Sequence, residues 1–148
     1  MQQNLPESYL PDAAHEPERM FTLPETDYPS HINVAEELVD SHIEAGRGDN
    51  VAIRFRDQDI TYRELQDRVN RFGNALKNLG VEPGDRVLVR FPNRPEAIIS
   101  CLAVQKIGAI PQPSMKLLRA KELTHILDDA QITAAVVYDD LLDELEEA

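Results

Sequence analysis

The chain has 148 residues, 42% of them hydrophobic, and its 27 acidic and 15 basic residues give a formal net charge of −12. This length suits one domain with a buried core, and the composition excludes a chain that is disordered throughout. The charge argues against nucleic acid and anionic membranes as partners, and an acidic surface with only four lysines is typical of a cytoplasmic protein from a halophile, an ordinary acidic protein being the alternative.

The first 32 residues hold half of the ten prolines, at positions 6, 11, 17, 24 and 29. So many prolines exclude a continuous helix, yet large apolar residues such as Tyr9, Met20 and Phe21 lie among them. We therefore predict an irregular Pro-rich arm over residues 1–32 that packs on a larger body, with a disordered tail as the alternative. The N-terminus has no signal-peptide pattern, and no apolar run approaches the length of a membrane span.

A helix and a small hairpin are predicted next. Asn33 and Glu36 form a capping-box pattern for a helix that ends near Ala45, with Val34, Leu38 and Ser41-His42 on one side. The alternation over residues 51–55 predicts a strand, which turns at residues 57–59 and returns over residues 60–62.

A long amphipathic helix follows the hairpin. Thr61 and Glu64 form a second capping box. Apolar residues then recur at steps of three and four, which predicts a helix that ends at Gly80 and has one buried stripe, formed by Leu65, Val69, Phe72, Leu76 and Leu79.

The remaining elements alternate between strand and helix. Strands are predicted over residues 86–91, from residue 109 and over 132–138, and helices from Pro95 and over 119–130. This order predicts an α/β fold, a partial doubly wound parallel sheet. Cys101, the only cysteine, excludes an internal disulfide and is expected to be a buried, inert thiol. The four histidines have no ligand spacing, so no metal site is expected.

The motifs of residues 61–109, in their order and at their intervals, resemble those of the AMP-forming acyl-CoA synthetases, or adenylate-forming enzymes. They are Thr61-Tyr62-x-Glu64-Leu65, Val69-Asn70-Arg71, Gly80-Val81-x-x-Gly84-Asp85-Arg86-Val87, Pro92-Asn93-x-Pro95-Glu96 and Ala103-Val104-x-Lys106-x-Gly108-Ala109. Each motif is weak alone, but together they are specific, and the resemblance covers about residues 33–138. It implies that residues 33–148 are the N-terminal portion of an AMP-binding domain, an incomplete subdomain of the ligase fold.

A narrower resemblance points to the aryl branch of this family. Residues 117–123 and 125–128, with Leu23-Pro24-Glu25 and Tyr28-Pro29 in the arm, are similar to benzoate- and 2-aminobenzoate-CoA ligases. Such enzymes use ATP and Mg²⁺ to convert a carboxylic acid to an acyl-adenylate, and coenzyme A then gives the thioester and AMP. The resemblance thus implies an aromatic or other carboxylic acid substrate, with ATP, Mg²⁺ and coenzyme A as cofactors of the full-length enzyme.

The chain also departs from the family pattern. The phosphate loop that ends in Pro-Lys, the adenylate-binding segments, and the C-terminal domain with its catalytic lysine do not occur in these 148 residues. No catalytic residue or metal ligand is therefore assigned, and the chain alone is expected to be inactive and to bind none of the cofactors tightly. The missing remainder of the ligase is a possible partner.

One candidate site remains, formed by Lys116 and Arg119 just beyond the second parallel strand. Ligands of open α/β sheets bind beyond the carboxyl ends of the strands. In related ligases this loop lies near the nucleotide end of coenzyme A, so the two side chains are candidate ligands of its phosphates, with surface charge at a helix start as the alternative. Asn93 and Arg94 hold the equivalent position after the first strand. For these two residues the preferred interpretation is structural: they end the strand and begin the next helix.

Three hypotheses for the function follow. The first is the N-terminal fragment of an aryl- or acyl-CoA ligase, and the second is a non-catalytic remnant or interaction module with the same fold. The third, an autonomous flavodoxin-like nucleotide binder, is the least favoured because its first strand lacks a phosphate loop.

Overall fold

The structure, a computed structural model, describes residues 12–15, 18, 20, 22–26, 28, 29 and 31–148. The chain divides after Ile32 into two units, residues 1–32 and residues 33–148. In the first unit, 3₁₀ turns run over Ala13–His15 and Pro24–Thr26. Three of the prolines on which the predicted arm depends, at positions 6, 11 and 17, lie outside the described residues.

The second unit begins with a helical segment that is π-helical over Glu36–Asp40 and α-helical over Ser41–Glu44 (α1). The side chain of Asn33 caps this segment, since its Oδ1 accepts hydrogen bonds from the backbone N–H groups of residues 35 and 36, at 3.1 and 3.3 Å. The capping role predicted for Asn33 is therefore confirmed.

The side of this segment that carries Val34 and Leu38 is not its buried side. Ala35 and Val39 are buried, whereas Val34 and Leu38 are exposed. Both pairs are four residues apart, so helical spacing alone does not distinguish the face of Ala35 and Val39 from that of Val34 and Leu38.

The predicted hairpin is present with a shifted turn. It consists of β1 (Val51–Phe55) and β2 (Gln58–Thr61), which pair antiparallel. Phe55 pairs with Gln58, so the turn contains only residues 56 and 57, and Arg56 has a positive φ of 54°. The turn predicted over residues 57–59 thus lies too far along the chain.

Helix α2 (Tyr62–Asn78) packs its apolar stripe as predicted except at its last member. The capping box of Thr61 and Glu64 is formed in both directions. Three leucine and valine positions of the stripe are buried and Phe72 is half-buried, but Leu79 is 81% exposed. Leu79 caps the helix, and the backbone turns away at Gly80, whose φ is 89°.

Three parallel strands and two connecting helices form the predicted α/β sheet. The sheet order is β4-β3-β5 and both strand pairs are parallel. The elements are β3 (Arg86–Arg90), α3 (Pro95–Lys106), β4 (Ile110–Ser114), α4 (Ala120–Asp129) and β5 (Ala134–Val137). The prediction of strand, helix, strand, helix and strand is confirmed. The crossover from β3 to β4 and the crossover from β4 to β5 run in opposite directions along the sheet, so right-handed connections put α3 and α4 on opposite faces.

The larger core lies on the face of the sheet that α2 and α3 cover. Val87 joins an apolar cluster with buried residues of both helices, and Ala134 and Val136 pack against it. Leu88, the next residue of β3, and Leu123 of α4 are fully buried outside that cluster. Successive side chains of β3 therefore pack on opposite faces of the sheet. After β5 the chain forms a 3₁₀ turn (Asp139–Leu141) and a short helix, α5 (Asp143–Glu146).

Candidate functional site

The carboxyl ends of the three parallel strands share one edge of the sheet. Lys116 and Arg119 lie at this edge, in the loop that joins Ser114 at the end of β4 to the start of α4. Both residues thus follow the second parallel strand, at the edge where open α/β sheets bind ligands, and their role as ligands of coenzyme A stays a prediction.

Arg90, the last residue of β3, holds this loop in place. Its side chain is fully buried. Its Nη1 donates to the carbonyl of Met115 at 2.6 Å, and its Nη2 donates to the carbonyls of Leu118 and Lys116 at 2.8 and 3.3 Å. One guanidinium thus fixes the backbone on both sides of Lys116, which leaves the lysine side chain exposed.

Two buried polar atoms lie on neighbouring strands at this edge. Within the described part of the chain, the Nε of Arg90 and the Oγ of Ser114 have no hydrogen-bond partner. The two residues are opposite each other in the β3–β4 register. Buried polar atoms are nearly always paired in native proteins, so this edge retains hydrogen-bonding capacity that its own residues do not use.

Arg119 is the N-cap residue of α4, and its backbone N–H and its guanidinium are paired with acceptors of the same chain. Its backbone N–H donates to Glu122 Oε2 at 3.0 Å, and its Nη1 forms an ion pair with Glu144 Oε1. The other carboxylate oxygen, Glu144 Oε2, accepts from the backbone N–H of Ala120 at 3.0 Å. A carboxylate from α5 therefore sits where the N-terminus of α4 and an arginine together attract anions.

The electrostatics of Glu144 agree with that geometry. The hydrogen bond from Arg119 lowers the pKa of Glu144, and the bond from the Ala120 amide and the nearby charge of Arg90 act in the same direction. These donors stabilise negative charge at this point. The acidic sequence of residues 139–148 has no local pattern that indicates a contact between Glu144 and α4.

Asn93 and Arg94 follow β3, and the structure supports a structural role for Arg94. The arginine precedes Pro95 at the start of α3, and its Nε lies 3.1 Å from Glu96 Oε2. Its Cζ lies 5.1 Å from the centre of the Tyr138 ring, which follows β5. Hydrogen bonding to Arg94 lowers the pKa of Glu96. The segments that follow β3 and β5 are therefore bridged by the side chains of Arg94 and Tyr138.

Among the described residues, every helix is too short or too polar to cross a membrane. No three or more His, Cys, Asp and Glu side chains of these residues are grouped so that they could hold a metal ion. Cys101 is a free thiol that is half-buried rather than fully buried, and burial raises its pKa.

Most of the chain is similar in sequence to known proteins. Residues 41–148 match the family model described as AMP-binding enzyme. The chain is 51% identical over 83 residues to the acetyl-coenzyme A synthetase of Streptomyces avermitilis and 38% identical over 133 residues to that of Thiobacillus denitrificans, alignments that cover 53% and 82% of the chain.

A solved structure has the same fold. The crystal structure of an anthranilate CoA ligase in complex with anthranoyl-AMP matches 84% of the chain with a TM-score of 0.75 and 29% identity. The chain spans 24% of that ligase, and 13% and 20% of the two synthetases. The matched proteins are therefore about four to eight times longer than the segments they share with this chain.

Proposed function

Because the chain belongs to the AMP-binding enzyme family, we propose that it is the N-terminal part of an ATP-dependent, AMP-forming ligase that joins a carboxylic acid to coenzyme A. The observation that carries the proposal is the match of residues 41–148 to the family, which coincides with the parallel sheet and its connecting helices. In such a ligase, ATP activates the carboxylate and coenzyme A supplies the accepting thiol.

The chain's own contribution to this reaction is a phosphate contact for coenzyme A. Lys116 and Arg119 follow β4 at the carboxyl edge, Arg90 fixes the loop that carries Lys116, and Arg119 lies at the start of α4. The position of the Glu144 carboxylate supports this assignment, because it shows that the donors of Arg119 and Ala120 accommodate an anion. Arginine and lysine are the side chains suited to phosphate.

The phosphate contact is tested in a complete enzyme. A chimera in which residues 33–148 replace the matching segment of the anthranilate CoA ligase provides one. We expect the double variant Lys116→Ala/Arg119→Ala to raise the KM for coenzyme A by about tenfold or more at unchanged kcat, because uniform binding is lost. Lys121→Ala, which removes another lysine of the same region, is the control and should leave this KM unchanged. An unchanged KM in the double variant would refute the contact.

The acid substrate is proposed to be aromatic, such as benzoate or 2-aminobenzoate. This rests on the resemblance of residues 117–128 to aryl-CoA ligases and on the likeness to a ligase that was crystallised with anthranoyl-AMP. Acetate is the second candidate, because both of the curated relatives described above are acetyl-coenzyme A synthetases. Sequencing the DNA beyond codon 148 and assaying its product with benzoate, 2-aminobenzoate and acetate decides between them.

The chain alone is proposed not to catalyse the reaction. ATP and Mg²⁺ would be held by residues outside these 148, because the family's phosphate loop and catalytic lysine are not among them. Pyrophosphate release is the direct test: the purified chain with acid, ATP, Mg²⁺ and coenzyme A should release none above the rate without acid. Turnover would contradict the proposal, whereas a non-catalytic interaction module would remain inactive even when the rest of a ligase is supplied.

A further inference from the structure

The last ten residues of the chain form a strongly acidic segment that contains α5. Six of them are acidic and none is basic. Among the described residues, Glu144 is the only one of these six that forms an ion pair, the one with Arg119. Like charges so close in sequence repel one another, and the pair formed by Glu144 opposes that repulsion.

The other attachments of this segment to α4 are slight. α5 has four residues, Asp143–Glu146, and none of them is buried. The hydroxyl of Thr124 in α4 donates to the carbonyl of Ala148 at 3.3 Å, which is long for a hydrogen bond between two oxygens. The Glu144 carboxylate is therefore the strongest polar link between the acidic segment and α4.

That carboxylate uses the donors that a phosphate would use. Its Oε1 pairs with Nη1 of Arg119, and its Oε2 accepts from the Ala120 amide at 3.0 Å. Phosphate binds the same kinds of group, arginine and the amides at the start of a helix, and a phosphate monoester carries more charge than a carboxylate. The side chain of Arg119 is 76% exposed, so an anion from solvent can reach it while Glu144 is in place.

We propose that Glu144 is an internal competitor for the phosphate that Lys116 and Arg119 are proposed to bind, so that α5 must release Arg119 before the nucleotide end of coenzyme A binds fully. This inference rests on the proposed function and adds a means of regulating it. The apparent affinity of a site falls in proportion to the fraction of time for which it is open. Closure by Glu144 thus keeps the affinity low, and a contact that draws α5 away from α4 raises it.

The first test measures binding of adenosine 3′,5′-bisphosphate, which carries phosphates of the kind found at the nucleotide end of coenzyme A, to the full chain. Isothermal titration calorimetry at constant ionic strength gives the affinity. Glu144→Gln weakens the pair with Arg119 and should tighten binding by about threefold to tenfold, because the open fraction rises. Equal affinities of the wild type and Glu144→Gln, including the absence of binding in both, overturn the inference.

Glu146→Gln is the matched control for this test. It removes the same charge from the same short helix, at an exposed residue that has no ion pair among the described residues. Because salt screens the effect of an exposed charge, this variant should change the affinity by less than about twofold. Equal tightening by Glu144→Gln and Glu146→Gln would reduce the effect to net charge and overturn the inference.

Glu144→Asp separates the contact from the charge. Aspartate keeps the negative charge on α5 but is shorter by one methylene, so it no longer reaches both Arg119 and Ala120. We expect this variant to bind the probe about threefold more tightly than the wild type. Circular dichroism checks that each variant is folded, and wild-type affinity of folded Glu144→Asp overturns the inference.

NMR spectroscopy follows the displacement of α5 directly. Saturation of the wild-type chain with the probe should lower the heteronuclear NOE of residues 143–147, because α5 leaves α4 and moves on the fast timescale that this observable reports. The values for β3 should stay unchanged. Binding of the probe that leaves α5 as rigid as in the free chain overturns the inference.

The chimera that carries residues 33–148 separates this inference from the proposed function. Thioester formation by the chimera, with equal affinities of the isolated wild type and Glu144→Gln for the probe, would support the proposed function and overturn the competition. Tighter binding of the probe by Glu144→Gln, without thioester formation in the chimera, would refute the proposed function and support the competition.

Discussion

Arg90 combines full burial with a positive charge at the carboxyl end of the central strand. Burying a charge is costly unless it is paired or hydrogen-bonded. Arg90 meets this requirement by donating to three carbonyls of the loop between β4 and α4. An arginine can do this for several carbonyls at once because its donors are arranged in a planar fork. The residue therefore positions the loop that carries Lys116 and Arg119.

The first prediction concerns this positioning role. Arg90→Met keeps most of the side-chain volume but leaves the three carbonyls without their donor, so we expect a loss of about 1–3 kcal/mol in the free energy of unfolding. Urea denaturation in molar salt measures it, and hydrogen exchange in residues 115–118 should become faster. The control is Arg54→Met, at a side chain that is 79% exposed, which should change stability by less than about 0.5 kcal/mol. Wild-type stability of Arg90→Met would contradict the role.

The second prediction concerns the pH dependence of the capping box on α2. Hydrogen bonds from the backbone N–H and the hydroxyl of Thr61 lower the pKa of Glu64. A carboxyl whose pKa is lower in the folded state stabilises the fold above its unfolded pKa, and this contribution is lost as the pH falls through the folded value. We expect Glu64→Gln to be less stable than the wild type at neutral pH and the difference to shrink below about pH 4.

Unfolding measured at a series of pH values tests this second prediction. Glu44→Gln, at an exposed glutamate in α1, is the control because it changes the same side chain outside a capping box. A stability difference between wild type and Glu64→Gln that stays constant from neutral pH to pH 3 would show that the carboxylate charge plays no part in the cap.

At the scale of elements, α2 and α3 meet through a glycine. Gly73 is buried in α2, and a Cβ atom built on it would lie 3.2 Å from Cγ2 of Ile107 and 3.6 Å from the carbonyl oxygen of Ala103. The small residue thus permits α2 to approach the end of α3 closely. Glycine usually weakens a helix interior, so its presence here is explained by helix packing.

The third prediction follows from that close approach. Gly73→Leu should destabilise the chain by about 1–3 kcal/mol, because the larger side chain forces the two helices apart. Ala75→Leu, two residues along on the exposed side of α2, is the matched control and should change stability by less than about 0.5 kcal/mol. Chemical denaturation in molar salt measures both variants, and equal stabilities would show that the α2–α3 contact tolerates a wider separation.

The elements differ in how far the sequence predicts them. The strands and helices of the sheet were predictable because each has a local signal, such as the capping box at Thr61 or Pro95 at the first position of α3. The buried face of the segment before α1 was not, because Val34 with Leu38 and Ala35 with Val39 have the same helical spacing. In the site, the position of Lys116 and Arg119 followed from strand order. The roles of Arg90 and Glu144 depend on contacts between residues about 25 positions apart, and local patterns do not report these.

For the whole molecule, the net charge of −12 is the dominant electrostatic feature. Such an excess of one sign repels itself in the compact state. The ion pairs of Arg71 with Asp67 and of Arg119 with Glu144 act in the opposite direction, but their arginines lie at the surface, where a pair contributes about 0–1 kcal/mol. Salt screens both effects, so the sign of the salt dependence shows which is larger.

The last prediction is that salt stabilises the isolated chain. The screening length falls from about 10 Å at 0.1 M salt to about 3 Å at 1 M, so we expect the midpoint of thermal unfolding to rise with NaCl and most of the rise to be complete near 1 M. KCl should act equally, because screening depends on ionic strength and not on the identity of the ion. In dilute buffer the unfolding transition should be broad. Charge repulsion then adds to the destabilisation from the outer edge of β5, which has no partner strand among the described residues, and from the exposed Leu79. A sharp transition in dilute buffer that salt leaves unchanged would show that the acidic charges are too dispersed to destabilise the fold. A midpoint that falls with salt would show that the ion pairs outweigh the repulsion.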